Sequence, residues 1–210
     1  MKILVVGASR GTGKFTVAEA LARGHSVTAL ARSPAAIGIE HENLRTHSGN
    51  ALDPKTMDQV VRGHDAVIIA LGASPAAMRK PLTLYSESTR LCIDAMKLHH
   101  VERLVVLSAR GAGDSASLMN PFVRWIARSV ILRHNYDDHD RQEKLAMESG
   151  LQWVIARPSG LTNGKAKRKF KAESELRDVP GFVSRADVAV FLVDAVESDK
   201  WVHKAVMIGG

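Results

Sequence analysis

Cysteine is almost absent from this chain. Its 210 residues include one, Cys92, which excludes an internal disulfide framework and suits a reducing compartment. Long apolar runs are missing too: the stretch 66–73 is among the longest and falls far short of the roughly 20 residues that cross a bilayer. The first residues carry no charged lead, no extended apolar stretch and no cleavage site, so no export signal is expected. The cytoplasm is the expected location. No linker, low-complexity tract or internal repeat interrupts the sequence, and at this length one domain with a substantial core is expected. Acid is in deficit: 29 Lys and Arg stand against 22 Asp and Glu, a net charge of +7. That balance favours anionic partners, a phosphate-rich cofactor and nucleic acid among them, and does not separate these two.

What the chain does have is a regular alternation. Strand patterns over 2–6, 25–31, 44–47, 66–71, 104–107, 153–156 and 202–208 alternate with helical patterns over 13–23, 54–61, 82–98, 137–149 and 184–197. Asp53-Pro54 reads as a cap and first helical residue, and Ser184-Arg-Ala-Asp187 as a capping box. The fully apolar 66–71 reads as a strand buried on both faces. This order predicts an α/β domain: a doubly wound parallel sheet with helices on both faces. Two segments break the rhythm. Residues 110–134 begin as a Gly/Ser loop and continue as a helix over 121–132, and 161–183 are polar and basic. Both follow strands, which places them at the carboxyl edge of the sheet, where such folds bind ligands. They are the expected substrate region.

The first strand runs into Val6-Gly-Ala-Ser-Arg-Gly-Thr-Gly-Lys14. A nucleoside-triphosphate loop needs Gly, four residues, then Gly-Lys-Ser/Thr; Ala8 and Phe15 break that pattern. The fingerprint G-x-G-x-x-G fails at Ser9 and Thr12. Gly7-x-x-x-Gly11-x-Gly13 fits instead. Glycine lets the backbone approach a pyrophosphate, and the helix that follows points its positive end at the anion. At the end of the second strand an acid would accept the adenosine ribose of NAD. Here Arg32 stands there. A guanidinium binds a 2′-phosphate that a carboxylate would repel, a charged hydrogen bond worth about 1.5–3 kcal/mol. Arg10 supplies a second positive charge. NADP(H) is therefore expected over NAD(H).

The glycine pattern with Arg10 before its second Gly resembles the short-chain dehydrogenase/reductase superfamily. Four further stretches resemble its atypical branch of small NAD(P)H-binding proteins, the group containing biliverdin-IXβ reductase (flavin reductase) and the NmrA-like proteins. They are Gly49-Asn-Ala-Leu-Asp53, Asp65-Ala-Val-Ile-Ile-Ala-Leu-Gly72, Asp137-Asp-His-x-Arg-x-x-Lys144 running on to Glu148-Ser-Gly-Leu151, and Ser184-Arg-Ala-Asp-Val-Ala189. The resemblance covers nearly the whole chain and implies a Rossmann fold. It implies that Gly7, Ser9, Arg10, Gly11, Thr12 and Gly13 hold the pyrophosphate and Arg32 the 2′-phosphate. Asn50 and Ala51 would border the adenine, Leu71 and Gly72 would pass under the ribose, and Pro158 would lie by the nicotinamide. Ser108 takes the place of the superfamily's active-site Ser.

Two departures narrow the chemistry. The larger branch uses Tyr-x-x-x-Lys, but Tyr136 is followed four residues later by Asp140, and His139 takes the place nearest the Lys. The flavin-reductase-like proteins carry a His where this chain has Ser159. Ser108, Ser159 and His139 are the candidate catalytic residues. Loss of the standard proton donors weakens an alcohol-dehydrogenase reading. It is less damaging for flavin, quinone or biliverdin-like acceptors, which draw protons from solvent. The expected function is an NADPH-dependent reductase of such an acceptor; the alternative is an NADP(H)-binding sensor of NmrA-like type without turnover.

Other features keep open readings. Ser108 also fits a cap at a strand end. Asp137, Asp138, His139 and Asp140 read as first-turn acids of a helix rather than a metal site. Lys165-Ala-Lys-Arg-Lys-Phe-Lys171, read as a strand, puts its lysines on one face; it fits a solvated sheet edge, attraction of an anionic substrate, or nucleic-acid contact without interleaved aromatics. Phe122, Trp125, Ile126 and Ile131 fit a substrate wall, domain packing or a dimer contact. The expected partner is a small-molecule acceptor, anionic if the basic segment serves it, rather than nucleic acid, and no membrane is expected.

Overall fold

The computed structural model describes residues 1–126, 128, 132–177, 179 and 181–210. Among them, eight strands form one sheet in the order β3-β2-β1-β4-β5-β6-β10-β8. These are β1 (Lys2–Val6), β2 (Ser26–Ala31), β3 (Leu44–Ser48), β4 (Ala66–Ile69), β5 (Arg103–Leu107), β6 (Gln152–Pro158), β8 (Lys171–Glu173) and β10 (Lys204–Gly209). All pairs are parallel except β8 against β10. Strands β7 (Gly160–Thr162) and β9 (Phe182–Ser184) make a separate parallel pair. The central strands are buried on both faces, as their apolar runs require.

Helices cover both faces, as expected. On one face α1 (Gly11–Ala22) packs on α7 (Arg185–Glu197) over a core that includes Val5, Val17, Ile68 and Phe191. On the other, α2 (Pro54–Val61), α4 (Leu84–Leu98) and α6 (Arg133–Met147) enclose Leu4, Met57, Met96 and Ile155. Short α3 (Pro75–Met78) and α5 (Pro121–Ile126) lie in the loops after β4 and β5. The sheet is doubly wound: the chain leaves β1 toward β2 and β3, then returns to place β4 on its other side.

Local caps fix the starts of α2 and α7. The Asp53 side chain accepts from Lys55 and Thr56 N–H at 3.4 and 3.1 Å and starts α2. Ser184 Oγ accepts from Asp187 N–H at 2.9 Å and starts α7. One start differs from expectation: α6 begins at Arg133 rather than at 137. The acid read as its first-turn carboxylate serves another helix. Asp138 accepts from the N–H groups of Tyr85 and Ser86, at 2.8 and 3.3 Å, and from Ser86 Oγ at 2.5 Å. It thereby caps α4, whose own N-cap, Thr83, makes no side-chain bond. Of the expected helix over 121–132, α5 covers Pro121–Ile126; residues 127 and 129–131, with Ile131, lie outside the described residues.

Candidate active site

The glycine turn is built by steric necessity. Gly7 has φ +93°, and a Cβ there would lie 2.8 Å from the Ala70 carbonyl oxygen beyond β4. A Cβ on Gly13 would lie 2.2 Å from the Gly7 carbonyl oxygen, so the first turn of α1 rests directly on the strand end. Gly11 is different: it has room for a side chain but needs its φ of +58°. No side chain caps α1, and its first turn holds no acid. Its leading N–H groups and positive dipole end therefore suit an anion. The turn sits where the strand order reverses, between β1 and β4. A tight turn in which Gly7 and Gly13 leave no room for a Cβ, at an uncapped helix end, fits the pyrophosphate of a dinucleotide.

The other expected cofactor residues lie along the same sheet edge. Arg10 and Arg32 are exposed, Arg32 directly beyond β2. Asn50 follows β3; its side chain accepts from Leu52 N–H at 3.1 Å, and Ala51 beside it is buried. Half-buried Leu71 and exposed Gly72 follow β4. Ser108 follows β5, and Pro158 ends β6. Ser9 is half-buried and Thr12 buried within the turn.

Ser108 is held by a buried network that the sequence reading missed. Its Oγ donates to Glu143 Oε1 at 2.6 Å. The same carboxylate takes two bonds from Arg157, from Nε at 2.9 Å and Nη2 at 2.6 Å. Arg157 Nη1 reaches exposed Asp114 at 2.5 Å. Burial works against the Arg157 charge, but the bonds and charge of Glu143 outweigh it and raise its pKa. The one sequence signal was an arginine inside the otherwise apolar strand Trp153-Val-Ile-Ala-Arg-Pro158.

Among the described residues the remaining catalytic candidates make no hydrogen bond to this network. His139 is 5% exposed between α6 and α4, stacked on Tyr85 with ring centroids 4.0 Å apart. Its Nδ1 meets Gln142 Oε1 at 3.0 Å, an acceptor, which places the proton on Nδ1. Burial lowers its pKa, so it stands as a neutral ring rather than as the cation of Tyr-x-x-x-Lys. Ser159 is buried next to β10, and its Oγ has no hydrogen-bond partner among the described residues. Both tyrosines are committed elsewhere. Tyr85 OH donates to Asn135 Oδ1 at 3.1 Å and accepts from Ala73 N–H at 3.0 Å. Tyr136 OH donates to the Arg110 carbonyl at 3.3 Å. Burial raises both phenol pKa values.

The acidic run on α6 is spent on structure. Asp138 caps α4, Asp140 pairs with Arg128 and accepts from Gly113 N–H, and Asp137 lies 3.7 Å from Arg133. Among the described residues no three His, Cys, Asp or Glu side chains are placed to share a metal, and no helix is long and apolar enough to cross a membrane. The two irregular segments follow the carboxyl ends of β5 and of β6 with its short extension β7. In 110–134, Phe122 and Trp125 are 67% and 60% exposed, which removes domain packing as their role. Trp125 lines a shallow groove with Ala116, Pro121, Arg124 and Arg128. In 161–183, the strand expected over 165–171 starts only at Lys171. Asp187 Oδ1 takes the N–H groups of Lys167 and Arg168 at 2.9 and 2.7 Å, and Arg168 has φ +53°. That left-handed residue ends any lysine-only face.

The chain is similar to several known proteins. YwnB of Bacillus subtilis is 24% identical over 94% of this chain and 92% of its own. Among solved structures, ChuY, an anaerobillin reductase from Escherichia coli O157:H7, superposes with a TM-score of 0.82 at 22% identity, over 100% of this chain and 97% of its own. A short-chain dehydrogenase/reductase from Veillonella parvula, solved with NADP, gives 0.79 at 19% identity over 100% and 94%. The family model described as NAD(P)H-binding matches residues 7–199, from the first glycine of the turn to just past α7. The chain belongs to this NAD(P)H-binding family.

Proposed function

We propose that the protein is an NADPH-dependent reductase that delivers hydride to a conjugated acceptor such as a flavin, a quinone or a biliverdin-like compound. The observation that carries this reading is the commitment of both tyrosine hydroxyls to internal bonds. With no phenol free to serve as proton donor, the acceptors that suit the site take protons from water and need mainly to be positioned. Reduced nicotinamide, when bound, supplies the hydride. Ser108 gives its own hydrogen to Glu143, so its oxygen is left to accept a bond and orient an amide rather than to protonate. Arg32 and Arg10 favour the phosphorylated cofactor, since a guanidinium matches a phosphate in charge and geometry. The NADP in the Veillonella structure and the reductase activity named for ChuY support the same direction. The groove lined by Trp125, Arg124 and Arg128 suits a planar, anionic small molecule.

The same locked tyrosines favour a second reading, an NADP(H)-binding sensor of NmrA-like type that does not turn over. One experiment separates them. Purified protein is mixed with NADPH, and loss of reduced-cofactor absorbance is followed against flavins, quinones and biliverdin. Acceptor-dependent oxidation is the expected result. Binding of NADPH without oxidation of any acceptor assigns the sensor.

A further inference from the structure

We propose that Arg185 is a second-side phosphate contact for the dinucleotide, delivered to the glycine turn by the small β7–β9 pair. The inference rests on the cofactor reading of that turn and adds a residue from the far end of the chain. Strands β7 and β9 run in parallel and end on the paired residues Thr162 and Ser184. The next residue of each strand completes the contact: Arg185 Nη1 donates to Asn163 Oδ1 at 2.7 Å. The arginine then lies over the turn, with its Nε 3.8 Å and its Cδ 3.9 Å from where a Cβ of Gly11 would stand.

The support beneath Arg185 is fixed. Ser184 Oγ caps α7, and Asp187 of the same turn takes the two backbone N–H groups of Lys167 and Arg168. Arg168 reaches across to Glu19 on α1, with both carboxylate oxygens at 2.8 and 2.9 Å. The chain after β7 is thus tied both to α7 and to α1, the helix that opens with the glycine turn.

Charge gives the arrangement its direction. Arg185 has no carboxylate partner among the described residues; its bond is to a neutral amide. It stands beside the positive end of α1, over Gly11, the residue that follows Arg10. Like charges gathered at a helix N-terminus are unfavourable until an anion lies among them. A guanidinium has five N–H donors, and Asn163 uses one. The remaining donors, beside Gly11, suit the pyrophosphate, which NADPH and NADH share. Arg32, beyond β2, addresses only the 2′-phosphate.

The test is a fluorescence titration of wild type, Arg185→Ala, Arg185→Gln and Asn163→Ala with NADPH and with NADH, each variant first checked by its melting curve. Both Arg185 variants are expected to bind both cofactors about tenfold or more weakly, by a similar factor for each, the loss of one charged hydrogen bond. Asn163→Ala, at an exposed position, is expected to show a smaller loss in the same direction for both. Unchanged affinity in any folded Arg185 variant overturns the proposal. So does a loss confined to NADPH, which would move Arg185 to the 2′-phosphate. Wild type that binds neither cofactor would instead refute the cofactor reading on which the proposal stands.

Discussion

Glu143 and Arg157 meet face to face between α6 and β6, each side chain 2% exposed. The pair does two things at once. Its two-point geometry compensates both buried charges, and Glu143 Oε1 also receives the Ser108 hydroxyl. A hydroxyl at the carboxyl end of β5 is thereby aimed by a charge pair that itself lies out of water.

Removing one member should be costly. Glu143→Ala leaves Arg157 buried with only exposed Asp114 as a carboxylate partner, and stability to urea should fall by about 3–5 kcal/mol. The double variant Glu143→Leu with Arg157→Met should recover most of it, because no charge is stranded. A loss under about 1 kcal/mol in the single variant would mean that water reaches the pair.

Ser108→Ala should lower turnover with a working acceptor by about tenfold, the scale of one oriented hydrogen bond. NADPH affinity should change much less. Steady-state kinetics beside a binding titration reads both. Unaltered turnover would leave Ser108 as a strand-end residue that satisfies Glu143.

Two histidines set a pH dependence. Burial lowers the pKa of His139 and of His64, which contacts Thr28 Oγ1 at 2.8 Å, below their ordinary 6.5. The unfolded chain therefore takes up protons near that pH that the folded chain refuses. The stability linked to the neutral rings is full above the unfolded pKa and declines as pH falls below it. Urea unfolding followed from about pH 7.5 to about 5.5 should show this decline, and His139→Gln should flatten it. An unchanged slope in that variant would mean that His139 protonates as easily folded as unfolded.

Much of the fold was legible because it is written locally. Alternating apolar patterns, Asp53-Pro54 and Ser184 placed most elements within two residues of their observed bounds. The glycine spacing located the turn, although only the structure separates Gly7 and Gly13, which have no room for a Cβ, from Gly11, which needs its backbone angle. What stayed hidden depends on partners far away in sequence. Asp138 caps a helix that begins 54 residues earlier at Leu84. Asp187 bends the lysine run by taking two of its N–H groups. Glu143 gave no local sign that it would meet Ser108 and Arg157. A polar residue whose partner is distant reads as an ordinary surface or capping residue until the chain is folded.

On the proposed reading the sheet edge holds NADPH, with Arg32 reading its 2′-phosphate. Fluorescence titration of wild type and Arg32→Glu with NADPH and NADH tests it most directly. Wild type should prefer NADPH, and Arg32→Glu should weaken NADPH by about tenfold or more while hardly altering NADH. Equal losses for both cofactors, or no preference in the wild type, would contradict it.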